Sequence, residues 1–393
     1  MASMKNSAAV ANPLGVLLSH GFRPFFLLAG LFAGVAVPVW ALALLRGLSL
    51  GPAGAAVGWH AHEMVYGYLA AVLAGFLLTA VPNWTGRAPL QGARLGLLVA
   101  QWLAGRLAML RVTDSILLRG LDGLFLPALA GVVWHEILRG GNRRNLPVCV
   151  LVSLFALGNL VYHFGPYCGL PAGLGERLGL AVATLLMSLI GGRIIPAFTT
   201  NWMTARGIVP PPAAFNRFDW LVLAATALAC ALWVAAPQAP VGAGLLLLAG
   251  CLQALRLARW RGWRTGAEPL VLILHVAYAW LPLALVLMGL AILRADWILP
   301  SHALHALTAG TIALLTLAVM TRATLGHTGR PLTAGAATVA IYVLVFSGAA
   351  LRLLLPYAAL PYAPAMALAG SVWSAGFLLF VVVYAPLLLR PRR

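Results

Sequence analysis

Acidic residues are scarce in this chain. Eight Asp and Glu stand against 26 Lys and Arg, and charged residues of both signs make up only 9% of 393 positions. A soluble domain carries roughly a quarter charged residues, so a water-exposed surface on that scale is excluded. No acid falls deep in the half of an apolar run nearer the basic loops. Glu136 and Glu268 stand at extreme ends, which argues against a proton pump built on a carboxylate there. Cysteine is sparse too. Cys149, Cys168, Cys230 and Cys251 form no C-x-x-C pair, which removes zinc knuckles and thioredoxin-type sites. Cys230 and Cys251 lie inside apolar runs, where a thiol packs as a small apolar group. P-loop, H-E-x-x-H and serine-nucleophile motifs are all missing, so nucleotide hydrolysis and intramembrane proteolysis are poorly supported. The strict alternation of a membrane barrel is also absent.

What remains is apolar length. Hydrophobic residues make up 62% of the chain and the mean hydropathy is +0.95. Runs of about 20 apolar residues are what a bilayer requires, and backbone groups in lipid must be satisfied internally. The expected fold is therefore an all-α polytopic membrane protein, one transmembrane domain over 1–393. Length and breakers place twelve helices near 25–45, 61–82, 93–111, 115–138, 146–164, 175–195, 218–236, 241–258, 268–293, 302–325, 333–354 and 363–388. Pro- and Gly-rich connectors such as Pro210-Pro211-Pro212 separate them. The first run follows a short polar stretch with Lys5 and Arg23 and reads as a retained span, not a cleaved signal peptide.

The net charge of +18 does not indicate a nucleic-acid partner, because the basic residues sit in short loops between spans. The termini and the loops after spans 2, 4, 6, 8 and 10 hold 19 of the 26 Lys and Arg, and the opposite side holds seven. The positive-inside rule then puts both termini in the cytoplasm, and an even number of spans requires that they share a side. His60, His62, His163, His302 and His305 fall at the periplasmic ends of spans, and His20, His135, His275 and His327 toward the cytoplasm.

Two of these histidine groups belong to a repeat. W-H-A-H-E-M carries His60 and His62 and is followed by T-G-R at Thr85 to Arg87. S-H-A-L-H carries His302 and His305 and is followed by T-G-R at Thr328 to Arg330. Setting His62 on His305 brings the T-G-R triplets and Gly67 and Gly310 into register. A four-helix period would make three groups, 25–138, 146–258 and 268–388. Span 6 then runs parallel to spans 2 and 10 and ends in G-G-R-I-I-P-A-F-T-T-N, though it has no histidine. Imidazole is a common metal and haem ligand. His302 and His305 share a helix face, whereas His60 and His62, two apart, point opposite ways and suit two centres. With His163 these are the candidate metal ligands, and interfacial histidines facing headgroups are the alternative. Glu63, about one turn into the membrane, needs a partner. It is the candidate catalytic or proton-carrying group, or a carboxylate that offsets the helix dipole. Asp122 suits a structural pair with Arg119, Arg106 or Arg111.

The cytoplasmic rim repeats arginine beside Pro, Gly or aromatics: Arg23, Arg87, Arg193, Arg322 and Arg330. Guanidinium grips carboxylates in a fork, so these are candidate contacts for haem propionates, or else anchors and helix caps. His327 and His20 are candidate haem ligands at that end.

Together these motifs resemble the NnrS family. The residues that carry the resemblance are H-G-F-R-P-F-F-L-L-A (20–29), W-H-A-H-E-M-V-Y-G (59–67), G-F-L-L-T-A-V-P-N-W-T-G-R (75–87), R-I-I-P-A-F-T-T-N (193–201) and L-A-V-M-T-R-A-T-L-G-H-T-G-R (317–330). The resemblance implies a twelve-span inner-membrane protein that binds haem, as haem b, and copper, with a role in denitrification or nitrosative-stress resistance. The expected partners are the lipid bilayer, nitric oxide or nitrosylated species, and a membrane electron donor. Two other functions fit the same residues: a carrier of a metal ion or haem, and a non-catalytic nitric oxide sensor or assembly factor.

Overall fold

A computed structural model describes residues 12–51, 56–111, 115–358 and 360–392; Lys5 lies outside them. After a single turn at Pro13–Leu17, twelve long helices follow in the expected order. They are α1 Phe22–Arg46, α2 Ala56–Thr85, α3 Gly92–Met109, α4 Ile116–Arg139, α5 Leu146–Phe164, α6 Leu174–Thr204, α7 Arg217–Ala235, α8 Pro240–Ala258, α9 Pro269–Leu293, α10 Pro300–His327, α11 Ala336–Leu354 and α12 Tyr362–Leu388. The described residues form no strand. Eleven of these helices are long and apolar enough to cross a bilayer. The other, α3, is 18 residues long and carries Arg94 and Arg106. The protein is thus a multi-pass helical membrane protein.

Local chemistry sets the helix ends. Both T-G-R triplets are stop signals. Gly86 and Gly329 take left-handed backbone with φ 69° and 76°, which glycine tolerates best. Thr85 and Thr328 each donate a hydroxyl to the carbonyl four residues back, Val81 and Thr324. Asn216 and Asp219 form a reciprocal capping box at the start of α7.

Burial shows which helices are central. The apolar stretches of α2, α10, α6 and α9 are 78%, 72%, 67% and 67% buried, against 33–50% for the other candidate spans. Around this centre α12 packs on α1, so the first and last helices close a ring. Three buried polar networks tie consecutive helices. One joins α2, α3, α4 and α5 through Glu63, Arg106, Asp122 and Asn159. A second joins α6 to α9: Arg256 donates to Asp219 and Ser188, and Gln253 links Ser188, Thr226 and Tyr278. The third joins α10, α11, α12 and α1 through Thr321–Tyr342, Thr338–Tyr384 and Arg23. This grouping starts one helix later than the division at 25–138, 146–258 and 268–388. Each group opens with one of the central helices α2, α6 and α10.

The repeat has a backbone signature. Glu63–Leu69 in α2 and Ala306–Ile312 in α10 are both π-helical, seven residues each. They begin immediately after His62 and His305. A π segment widens the helix and turns the preceding residues relative to a regular helix. It thereby sets where the histidines at the start of each span face.

Candidate functional site

Helices α2, α6 and α10 converge on a cavity of about 170 Å³, closed by α1, α11 and α12. Most of its wall is apolar. The polar and ionisable side chains in it include His60, His305, Glu176 and Arg352. The His60 and His305 rings lie 6.3 Å apart between centroids with planes only 9° from parallel, and Trp40 stacks on His60 at 4.2 Å. His305 Nδ1 donates to the Ser301 carbonyl at 2.6 Å. That bond fixes the tautomer and leaves the Nε2 lone pair free, the state of a metal-binding imidazole. His60 Nδ1 is buried with no partner, as is one guanidinium nitrogen of Arg352. His302, one turn before His305, is buried with neither ring nitrogen hydrogen-bonded and its ring edge-on to Tyr357.

His62 faces the other way. Its Nδ1 meets Glu63 Oε1 at 2.8 Å, and its Nε2 meets Asn159 Oδ1 at 3.0 Å and Asp122 Oδ2 at 3.2 Å. Both ring nitrogens therefore face acceptors, and a doubly protonated ring satisfies them all. Arg106 donates to both Glu63 oxygens at 2.8 Å and to Asp122. His163 Nε2 bonds Asp122 Oδ2 at 2.7 Å. Glu63, Asp122, Arg106 and an imidazolium at His62 sum to zero charge, which is what a fully buried cluster requires. The ligand atoms of His62, Asp122 and His163 are within 4.8 Å of one another, close enough to hold a metal ion. Each of them already has a hydrogen-bond partner, so the cluster is complete as a polar network. Asp122 thus has the structural pair with Arg106 that its position suggests.

The rim arginines and two of the remaining histidines gather at the opposite end of the bundle. His60 to Arg87 and His305 to Arg322 span roughly 25–40 Å at about 1.5 Å per residue, so these arginines do not reach the His60–His305 cavity. Arg87 pairs with Glu136 at 2.5 Å, Arg193 donates to Asn145 at 2.8 Å, and Arg322 covers the Phe198 ring at 4.1 Å. Arg23 donates to the carbonyls of Leu388 and Arg390 at the end of α12. Arg330 keeps a buried Nε without a partner. His327 and His20 flank Phe22, at 5.3 and 6.0 Å between ring centroids. Burial, then Arg23 and Arg392, push the His20 pKa down.

The sequence reading did not single out Glu176 and Arg352 as site residues. Arg352 carries no local motif, since its place in the cavity follows from how α11 packs. For Glu176 there was a signal. Val81-Pro82-Asn83-Trp84-Thr85 aligns with Ile195-Pro196-Ala197-Phe198-Thr199, and that register sets Glu176 on His62, and hence on His305. The third copy carries a carboxylate where the other two carry imidazole.

The fold and this cavity define a polytopic helical membrane protein with inward-facing histidines near one membrane face. The chain belongs to the NnrS family: the family's model, described as NnrS protein, matches residues 16–392. No curated protein compared with it matches. Membership fits a membrane protein linked to nitric oxide.

Proposed function

We propose that this protein holds haem b between His60 and His305 and acts as a redox protein on nitric oxide or nitrosylated species. The observation that carries the reading is the near-parallel pair of rings 6.3 Å apart. Both imidazoles line one cavity, where they would be the nitrogen ligands available to haem iron. The donor set agrees. His305 has its tautomer fixed by Ser301, His60 has an unpartnered buried nitrogen, and the wall is largely apolar. When bound, haem iron supplies one-electron chemistry and an affinity for nitric oxide. The chain's own residues do the rest. Trp40 holds the His60 plane by stacking. The unpartnered guanidinium nitrogen of Arg352 is placed to grip a carboxylate. His302 is the imidazole left for a copper ion, because the His62–Asp122–His163 cluster already spends its donors on one another. We assign the histidine end to the periplasmic face of a bacterial inner membrane and both termini to the cytoplasm, on the charge distribution.

The test is an optical spectrum of the purified protein, oxidised and reduced, with and without nitric oxide. A haem band that shifts with nitric oxide is expected. Colourless protein would overturn the reading. Proteoliposomes that accumulate labelled metal or haem would favour a carrier instead.

A further inference from the structure

Seven of the eight acids fall in the described residues, and six of them are held. Glu63 and Asp122 share Arg106, Glu136 has Arg87, and Asp219 has Arg256 and Arg259. Glu268 accepts from two backbone amides and Asp296 pairs with Arg294. Glu176 has no hydrogen bond or ion pair among the described residues, although it sits in the first turn of the central helix α6. A carboxylate near a helix start offsets the macrodipole. That accounts for an acid at this point of the helix, but not for what its side chain borders.

Glu176 borders two spaces at once. It lines the His60–His305 cavity, and it lines a second, more polar cavity of about 240 Å³ formed with Arg119, Tyr162 and His163. It occupies the repeat position that α2 and α10 fill with His62 and His305. The ionisable side chains that line the two spaces with it are Arg119, Tyr162 and His163 from α4 and α5, His60 and Tyr68 from α2, His305 from α10, and Arg352 from α11, and its charge is felt by Tyr66 and Tyr162. Arg177, next in the chain, turns away to the Ala172 and Val234 carbonyls. Tyr66 spends its hydroxyl on the Gly175 carbonyl at 2.5 Å.

We propose that Glu176 is the carboxylate through which protons pass between the Tyr162–His163 vestibule and the His60–His305 cavity. A proton from vestibule water adds to the Glu176 carboxylate, and the same proton leaves it on the cavity side. No other bond changes. A role in feeding protons to reduction rests on the redox reading above; the proton exchange itself does not. Glu176 is the group that both spaces share and that no partner immobilises.

The test uses the full-length protein in lipid, as wild type, Glu176→Gln and Glu176→Asp. Infrared difference spectra between acid and alkaline perfusion should contain a carboxyl component, exchanging promptly in D2O, that is missing from Glu176→Gln and returns, displaced, in Glu176→Asp. On the same samples, the midpoint potential of bound haem should fall with pH in wild type and Glu176→Asp and be flat in Glu176→Gln. Carboxyl spectra identical in wild type and Glu176→Gln, or a pH slope unchanged in Glu176→Gln, overturn the proposal. Wild type with the expected band but no haem overturns the haem reading and leaves the proton role standing.

Discussion

Gly67 and Gly310 occupy the same place in two π-helical segments of the chain, and each is pressed against a side chain from another helix. At Gly67 an added Cβ would overlap the Arg106 guanidinium, and at Gly310 the Trp280 ring. Glycine lets α3 and α9 approach closely at equivalent points. Gly67→Ala and Gly310→Ala should each lower stability by about 1–3 kcal/mol, the range for overpacked cores. Thermal unfolding in detergent measures this. A neutral result at both positions would contradict the close packing.

Arg106 donates to two buried carboxylates, Glu63 and Asp122. Arg106→Met should cost about 3–5 kcal/mol, as expected when a buried ion loses its partner. Adding Glu63→Gln to that variant should recover part of the loss. Chemical denaturation of the two variants checks both statements, and equal stability of Arg106→Met and wild type would show the network to be dispensable.

The two histidines of W-H-A-H-E-M should separate cleanly by spectrum. His60→Ala and His305→Ala remove the cavity imidazoles and should abolish the haem band. His62→Ala should keep the band and lose stability, because it empties a hydrogen-bonded network instead. Loss of haem in His62→Ala with retention in His60→Ala would reverse the assignment.

Arg352→Gln removes the guanidinium from the cavity while keeping polarity and much of the length. A charge-assisted hydrogen bond is worth about 1.5–3 kcal/mol. Haem retention should therefore fall by roughly ten- to a hundredfold, read by transfer of haem to an acceptor protein. Unchanged transfer would take Arg352 out of the site.

His20 lies before α1, where burial and then Arg23 and Arg392 push its pKa below the ordinary value. The folded state then binds a proton less readily than the unfolded one. Stability should be intact above the ordinary histidine pKa of about 6.5 and decline as pH falls through the lowered value. Melting temperatures across about pH 5–8 should show a shallower acid decline in His20→Gln than in wild type.

Most of the fold was legible because a bilayer demands long apolar runs, and twelve of these stand between Pro- and Gly-rich breaks. The two-residue spacing of His60 and His62 also pointed to separate surroundings, as their separate partners show. What escaped the sequence was the partnering across helices. Nothing near Arg352 announces a cavity, because α11 delivers it from almost 300 residues beyond His60. The T-G-R triplets were legible as a repeat, and the structure adds that Gly86 and Gly329 end helices. The π segments were also invisible, since no residue pattern marks the switch in hydrogen bonding that turns His60 and His305 toward one another.

The contact between Arg23 and the last turn of α12 bears on the order of biosynthesis. Arg23 stands at the start of α1, and its acceptor carbonyl at Leu388 lies 365 residues further along the chain. The bonds to Leu388 and Arg390 can form only after every helix between them has been synthesised, so the contact between α1 and the end of α12 closes late. A chain halted before residue 388 would leave the Arg23 guanidinium without these acceptors.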